Sequence, residues 1–197
     1  MAISTELVRI EDGHLVPIPG VWEFDTGHTE VSFEGRHLKV NRVRGRFTRF
    51  SGRLIVTEIP EQSSAELDIQ AGSLESGFTD RDGHLKSADW FDVERFPTIS
   101  FRSSSIQHVS GNLWTASGSL TAKEITGTIE MSVEFGGATI DPWGNAKIGA
   151  IVKSQVDREA WGMKWNLPLD AGGFVVDRMV WLRVDVEAVF GPLARGD

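Results

Sequence analysis

The sequence predicts an all-β protein: a single antiparallel sheet that closes on itself into a barrel of about eight strands, with one short helix. Three observations support this prediction. Apolar and polar residues alternate in many segments, turn-forming residues separate those segments, and one segment has helical spacing. A sheet whose strands all alternate has one buried and one solvated face, and closure into a barrel removes its free edges.

The clearest strand covers residues 128–135, where one face is apolar and the other is polar. The apolar face consists of Ile129, Met131, Val133 and Phe135. The last strand shows the same period. A run from Arg178 to Phe190 spans on the order of 40 Å at about 3.3 Å per residue, and this length favours an elongated apolar tunnel over a rounded pocket.

Glycine and proline clusters mark turns between the strands. They are Gly136-Gly137, residues 141–145 and Gly172-Gly173. Between residues 43 and 56 the alternation shifts by one position, and Gly45 and Gly52 lie in the same ribbon. A phase shift of this kind predicts a bend or bulge in the strand.

One segment has the signals of a short helix. Thr79 or Asp80 can cap its N-terminus, and Asp82 adds a negative charge to the first turn. Apolar positions then recur at helical spacing, so we expect a helix from about Asp80 to Ser87. Pro97 fixes an extended approach to the strand that follows.

Composition and charge exclude several classes of function. The chain has 197 residues, 40% hydrophobic and 24% charged, which is ordinary for one globular domain. It has no cysteine, so disulfides, cysteine-bound zinc and cysteine nucleophiles are excluded. The formal net charge of −8 argues against nucleic acid as a partner, because an acidic surface repels phosphate.

The two ends of the chain carry little regular pattern. We expect an N-terminal extension over residues 1–19, a barrel over 20–190 and a C-terminal tail over 191–197. No apolar run approaches the roughly 20 residues of a membrane span, so the protein is not expected to cross a membrane. The extension is acidic and has no long apolar segment, which predicts a cytoplasmic location.

Five different motifs follow one another along the chain. The first is Trp22, Phe24, Asp25, His28, Val31, Phe33, His37 and Leu38. The second is Val43, Gly45, Phe47, Phe50 and Gly52. The third is Arg81, Asp82, His84, Leu85, Ser87, Asp89, Phe91, Asp92, Val93, Phe96, Pro97, Ile99, Phe101 and Ser103. The fourth is Gly118, Leu120, Thr121, Ile125 and Thr126, and the fifth is Asp157, Arg158, Trp161, Gly162 and Met163.

In order and spacing these motifs resemble the YceI-like family over roughly Gly20 to Phe190. One departure is Lys123-Glu124, where the family usually has a small residue and a glycine. The resemblance implies a lipocalin-like barrel that binds, stores or transports a polyisoprenoid, an isoprenoid quinone or a related amphipathic lipid without catalysis. Many members of the family are exported, and this sequence departs from them in its expected location.

Small residues on the inward faces leave room for a ligand, although large neighbours could equally fill it. The resemblance favours a cavity. We predict the lining of this cavity from one criterion, that a side chain lies on the inward-facing side of its predicted strand. The predicted ligand-binding residues are Phe33, Phe47, Leu67, Ile69, Phe101, Trp114, Met131, Val133 and Ile148. The expected partner is a long-chain isoprenoid or other amphipathic lipid, with a homodimer left open.

Two other functions stay open at this point. One is a lipid-modifying enzyme that uses His84 with nearby carboxylates, which requires His84 to face the cavity. The other is a structural interaction barrel with a filled core. The histidines are scattered, so no metal site, cofactor or catalytic residue is predicted. Arg158 could grip a headgroup, but we favour a role in closing one barrel end by pairing with an acid and stacking on tryptophan.

Overall fold

The computed structural model describes residues 6–170 and 172–191. In that part of the chain it has one α-helix, α1 (Thr79–Lys86), and thirteen strands. The strands are β1 (Val8–Glu11), β2 (His14–Pro17), β3 (Gly20–Phe24), β4 (Glu30–His37), β5 (Asn41–Phe47), β6 (Phe50–Val56), β7 (Ser64–Gln70), β8 (Leu74–Glu75), β9 (Thr98–Ser110), β10 (Leu113–Ala122), β11 (Ile125–Ile140), β12 (Ala146–Asp157) and β13 (Val176–Phe190). None of the described helices is long and apolar enough to cross a membrane.

Eleven of the strands form one antiparallel sheet that closes into an eight-stranded barrel, as predicted. Three of the eight barrel strands are interrupted. Each of these three positions is shared by two strands. β3 and β4 both pair with the same side of β13; β6 then pairs with β3, and β5 with β4. In the third position β7 pairs with β6, and β8 with β5. The remaining barrel strands are β9 to β13, and the pairing of β12 with β13 closes the ring.

The predicted phase shift corresponds to the break between β5 and β6. Gly45 and Gly52 have a further role, because an aromatic ring from the neighbouring strand lies over each of them. A Cβ atom at Gly45 would lie 2.4 Å from Cζ of Phe33, and one at Gly52 would lie 2.4 Å from Cδ2 of Phe24. Only glycine therefore allows these rings to lie flat against the barrel wall.

The predicted turn at Gly136-Gly137 is wrong. β11 continues through both glycines to Ile140, with a shift in register between Phe135 and Gly137. Glycine in a strand favours a bulge as well as a turn, and the sequence does not distinguish the two. The next predicted turn, at residues 141–145, is confirmed.

The helix is confirmed within one residue at each end, but its predicted cap is wrong. The N-cap is Phe78, whose side chain makes no capping hydrogen bond, and Asp80 is exposed. Asp82 instead turns back and accepts hydrogen bonds from the backbone N–H (2.8 Å) and the hydroxyl of Ser76. Arg81 donates to the hydroxyl and the carbonyl oxygen of Ser76, at 2.7 Å each. The first turn is thus attached to the chain that precedes it.

The described part of the N-terminal extension lies on the barrel as the β1–β2 hairpin. Leu7, Val8 and Val16 are buried against the barrel interior, and Val16 is only 2% exposed. Beside them Trp22 is fully buried and donates its indole N–H to the carbonyl oxygen of Ile18 at 3.2 Å. The hairpin therefore fills one half of the barrel. Residues 1–5 and 192–197 lie outside the described residues.

An ion-pair cluster ties three segments together beside this filled half. The Lys147 ammonium on β12 lies 3.1 Å from Oδ2 of Asp25 and bonds to the carboxylate of Glu187 on β13. Oδ2 of Asp25 is also 2.9 Å from Nδ1 of His28. Partial burial works to raise the pKa of the Asp25 carboxyl. The hydrogen bonds from His28 and Lys147 outweigh it, so this pKa lies below its ordinary value.

The attachment of α1 predicts different costs for its two acidic residues. Asp82→Ala leaves the N–H of Ser76 without its acceptor, and we expect a loss of about 1–3 kcal/mol in the free energy of unfolding. Asp80→Ala is the matched control on the same turn, and an exposed change of this kind is expected to stay within about 0.5 kcal/mol. Urea unfolding measures both. Equal losses would contradict the role given to Asp82.

The ion-pair cluster predicts a specific dependence of stability on pH. Because the pKa of Asp25 is lower in the folded state, its stabilisation is complete above the unfolded value of 3.8 and is lost as pH falls through the folded value. Lys147→Met removes the cation. We expect the variant to be less stable than the wild type at neutral pH. On acidification its free energy of unfolding is expected to fall less steeply than that of the wild type, or to rise.

Lys153→Met is the control for this pH experiment, because Lys153 is exposed on the same strand. The free energy of unfolding in urea, measured from neutral to acidic pH, gives one curve for each protein. We expect the Lys153→Met curve to run parallel to that of the wild type. A parallel curve for Lys147→Met would refute the assigned contribution of the Lys147–Asp25 pair.

Candidate functional site: an apolar cavity beneath the helix

The half of the barrel beneath α1 is partly hollow, because its buried apolar side chains pack around an open space. It contains a cavity of about 210 Å³ whose lining is almost entirely apolar. Residues of β3, β4, β5, β7 and β9 to β13 form its wall. The filled half, packed by the N-terminal hairpin, adjoins it along the barrel axis through residues such as Phe24 and Leu67, which contact both regions. The interior is thus neither a full-length tunnel nor a solid core.

The structure divides the nine predicted ligand-binding residues between the two halves. The cavity is lined by Phe33, Phe47, Leu67, Ile69, Phe101 and Met131. The other three, Trp114, Val133 and Ile148, pack in the filled half instead. They point inward as predicted, but the hairpin that buries Val16 occupies the space in front of them. Ligand contact by the first six stays a prediction.

Residues outside the strands close the end of the cavity. The prediction did not include them, because it considered only inward-facing residues of strands. Leu85 of α1 and Trp90-Phe91 after it cover one side. Trp161 and Met163, from the turn that follows β12, cover the other. The aromatic residues that follow the helix were the available sequence signal, since an aromatic corner between a helix and a strand needs an apolar surface to pack on.

Three aromatic rings, two from the barrel strands and one from the loop after α1, pack together at the cavity wall. Phe33 and Phe47 lie with ring centroids 5.6 Å apart, and Phe91 meets Phe47 edge-to-face at 5.7 Å. Phe91 also lies 6.3 Å from Phe33. These distances lie within the range in which aromatic pairs attract one another. The loop after α1 therefore packs on the barrel through residues that also line the cavity.

Arg158 is a buried cation in the cavity wall. It is 3% exposed, and it donates to the carbonyl oxygens of Asp177 (3.0 Å) and Met163. Its guanidinium lies 4.8 Å from the ring centroid of Trp90. Loss of solvation lowers the pKa of Arg158, with partial compensation from nearby acidic groups such as Glu159. Arg158 does stack on a tryptophan, but on Trp90 rather than on the nearby Trp161, and its hydrogen-bond partners are carbonyl oxygens rather than an acid.

His84 lies on the outer side of the aromatic residues that cover the cavity. Its ring meets Trp165 edge-on at 4.4 Å, and its Nε2 is 3.1 Å from Oδ2 of Asp89. Both side chains are partly open to solvent, at 37% and 51% exposure. Neither belongs to the cavity lining. Acid–base chemistry on a bound lipid requires a group that reaches the lipid, and this histidine does not meet that requirement.

One group of side chains has ligand types suited to a metal ion. Ligand atoms of Asp25, His28 and Glu187 lie within 4.8 Å of one another. The ammonium of Lys147 already bonds to both carboxylates, so the cluster has its own cation. It also adjoins the filled half of the barrel, away from the cavity. We interpret it as an ion-pair network between β12, β13 and the β3–β4 connection.

Comparison with known proteins gives consistent results. A family model described as the YceI-like domain matches residues 22–188. UPF0312 proteins of Staphylococcus aureus, from strains N315 and USA300, are 30% identical over 167 residues, which cover 83% of this chain and 94% of each relative.

Solved structures show the same fold. Burkholderia cenocepacia BcnA superposes with a TM-score of 0.71 at 22% identity, over 83% of this chain and 98% of its own. The Campylobacter jejuni YCEI protein gives 0.66 at 20% identity, over 80% and 90%. A polyisoprenoid binding domain from Saccharophagus degradans, implicated in plant cell wall breakdown, gives 0.64 at 13% identity, over 88% and 100%.

The family model covers the barrel from within β3 to within β13. Several residues of the motifs that indicated the family, among them Phe33, Phe101 and Trp161, line the cavity. The chain belongs to the YceI-like family.

Proposed function

We propose that this protein binds and carries the apolar tail of a long amphipathic lipid, a polyisoprenoid or an isoprenoid quinone, without changing it chemically. The observation that carries the proposal is the apolar cavity of about 210 Å³ within the barrel. Membership of the YceI-like family supports it, as does the likeness in fold to a polyisoprenoid binding domain. An apolar cavity with few polar groups is the usual form of a lipid site.

The size of the cavity limits how much of the lipid it holds. An apolar cavity of about 150 Å³ accommodates benzene, so 210 Å³ suits on the order of eight carbons. A forty-carbon chain must therefore extend beyond the cavity or displace lining side chains. Met131 is suited to such movement, because its side chain is unbranched and adapts its shape.

The same size sets the scale of affinity. Eight buried carbons at about 0.8 kcal/mol each contribute about 6 kcal/mol. That corresponds to a dissociation constant between about 1 μM and 1 mM before the cost of ordering the chain is subtracted. Tight binding of a lipid therefore requires either a longer buried segment or a polar contact at its end.

The two rival functions are less well supported. A lipid-modifying enzyme needs a catalytic group at the cavity, and His84 lies outside it. A purely structural barrel needs a filled core, whereas this barrel contains an apolar cavity of about 210 Å³. A cytoplasmic location and a homodimer stay predictions.

Lipid carried through purification is the direct test of the proposal. Organic extraction of the purified protein followed by mass spectrometry is expected to find a polyisoprenoid, a quinone or a related lipid. Met131→Trp fills cavity space, so we expect this lipid to be lost while the protein still folds. Met131→Glu is expected to abolish binding as well, because its charge must be desolvated when an apolar tail enters.

Ser132→Glu is the matched control for both Met131 variants. Ser132 is the next residue of β11 and is exposed on the outer face, so binding is expected to be unchanged. The stability of each variant is measured alongside, since a filled core would also be strained, by about 1–3 kcal/mol, on adding bulk. If Met131→Trp is destabilised and the wild-type extract contains no lipid, the binding function is wrong. Chemical conversion of an added lipid would instead indicate the enzyme.

A further inference from the structure

We propose that the cavity selects lipids whose polar end carries a hydrogen-bond-accepting oxygen, preferably an anionic one such as a carboxylate, and that this oxygen binds to Arg158 and Trp90. The inference rests on the proposed lipid-binding function and adds the chemical class of the ligand's polar end. It is supported by two buried donor groups that have no acceptor among the described residues. They belong to Arg158 and Trp90, whose side chains are in contact in the cavity wall.

The first donor is on Arg158. A guanidinium has five N–H bonds in a fixed plane. Those on Nε and Nη1 are directed to the carbonyl oxygens of Asp177 and Met163. Nη2 is buried and has no acceptor among the described residues. Arg158 is 3% exposed and belongs to the cavity lining, so bulk water does not replace the missing partner.

The second donor is the indole N–H of Trp90, which is also buried and without an acceptor in the described part of the chain. Two other buried tryptophans show the usual arrangement. Trp22 donates to the carbonyl oxygen of Ile18 at 3.2 Å, and Trp161 donates to that of Leu120 at 3.1 Å. Buried indole N–H groups normally have such a partner, so Trp90 is the exception among these three.

The surrounding charges favour an anionic oxygen. Three acidic side chains act on Arg158: Asp157 and Glu159, which are both paired with Arg178, and Asp177. The hydrogen bonds that Arg158 makes are to neutral carbonyl groups. A buried cation held in this way gains more from an anion than from a neutral acceptor, because hydrogen bonds between charged groups are the stronger ones.

The other lining residues offer no comparable donor. The remaining wall consists of aliphatic and aromatic side chains together with Ser32, Glu66 and Ser154. The hydroxyl of Ser154 already donates to the carbonyl oxygen of Glu130 at 2.6 Å, and the hydroxyl of Ser32 donates to the backbone carbonyl oxygen of Arg183 at 3.3 Å. Glu66 would repel an anionic oxygen and is paired with Arg53. An acceptor oxygen on a ligand therefore has its best site at Arg158 and Trp90.

Displacement of the apolar fluorescent dye N-phenyl-1-naphthylamine by decanoate and by decanol tests this inference. The two probes have the same chain length and differ in the oxygen group. In water decanoate is the better solvated of the two, so an apolar cavity alone would prefer decanol. We expect the wild type at neutral pH to bind decanoate at least about tenfold more tightly than decanol.

Trp90→Phe removes one donor and keeps an aromatic ring beneath Arg158. We expect the preference for decanoate over decanol to fall severalfold in this variant. Trp161→Phe is the matched control, because Trp161 also lines the cavity but its N–H is already paired with Leu120. The preference in this variant is expected to equal that of the wild type.

Arg158→Lys removes Nη2 and keeps the charge, and it is expected to reduce the preference further. Should that variant fail to fold, the comparison of Trp90→Phe with Trp161→Phe still decides the result. A wild type that binds both probes without preferring decanoate, or equal preferences in the two tryptophan variants, would overturn the inference and leave the binding function intact. If the dye, decanol and decanoate all fail to bind, the lipid-binding function itself is wrong.

Discussion

The closure of the barrel depends on β13. This strand pairs with β12 from Met179 to Val189 on one side, and with β4 and then β3 on the other. Each residue of β13 that points inward therefore faces a closed interior. Val180, Leu182 and Val184 line the cavity, whereas Ala188 lies fully buried in the filled half. The start of β13 also holds Arg158 in place, through the carbonyl oxygen of Asp177.

The division into a hollow and a filled half follows from what covers each end. The β1–β2 hairpin inserts aliphatic side chains against Trp22 and Trp114, and this end packs as an ordinary core. The opposite end is covered by α1, by the aromatic residues after it and by the turn around Trp161. These groups bridge the barrel end without filling the space beneath them. Apolar side chains are thus closely packed at one end, whereas at the other end they are removed from water but leave a space between them.

Sequence periodicity predicted the strands and their inward faces well, because side chains alternate strictly along a strand. It did not separate lining from core. Met131 and Val133 lie two residues apart on the same face of β11, yet one lines the cavity and the other packs in the filled half. The difference is caused by the N-terminal hairpin, and that segment shows no sustained period in the sequence.

At the helix and at Arg158, local sequence patterns predicted the kind of contact but not the residue that makes it. The acidic residues of the helix suggested capping, but Asp82 bonds to Ser76, which precedes the helix. The sequence indicated that Arg158 stacks on tryptophan, and Trp161 was the nearer candidate. The actual partner is Trp90, which lies far away in the chain and reaches Arg158 only in the closed barrel. Contacts of this kind depend on closure and cannot be derived from local spacing.

The separation of the two halves has a consequence for how such a protein diversifies. In a solid core, truncating a side chain opens a void, and stability falls with the size of that void. A side chain such as Met131 already faces open space, so its replacement by another apolar residue changes the shape of that space at a smaller cost in packing. Evolution can therefore alter the molecule that the barrel accepts while Trp22 and its neighbours keep the fold intact.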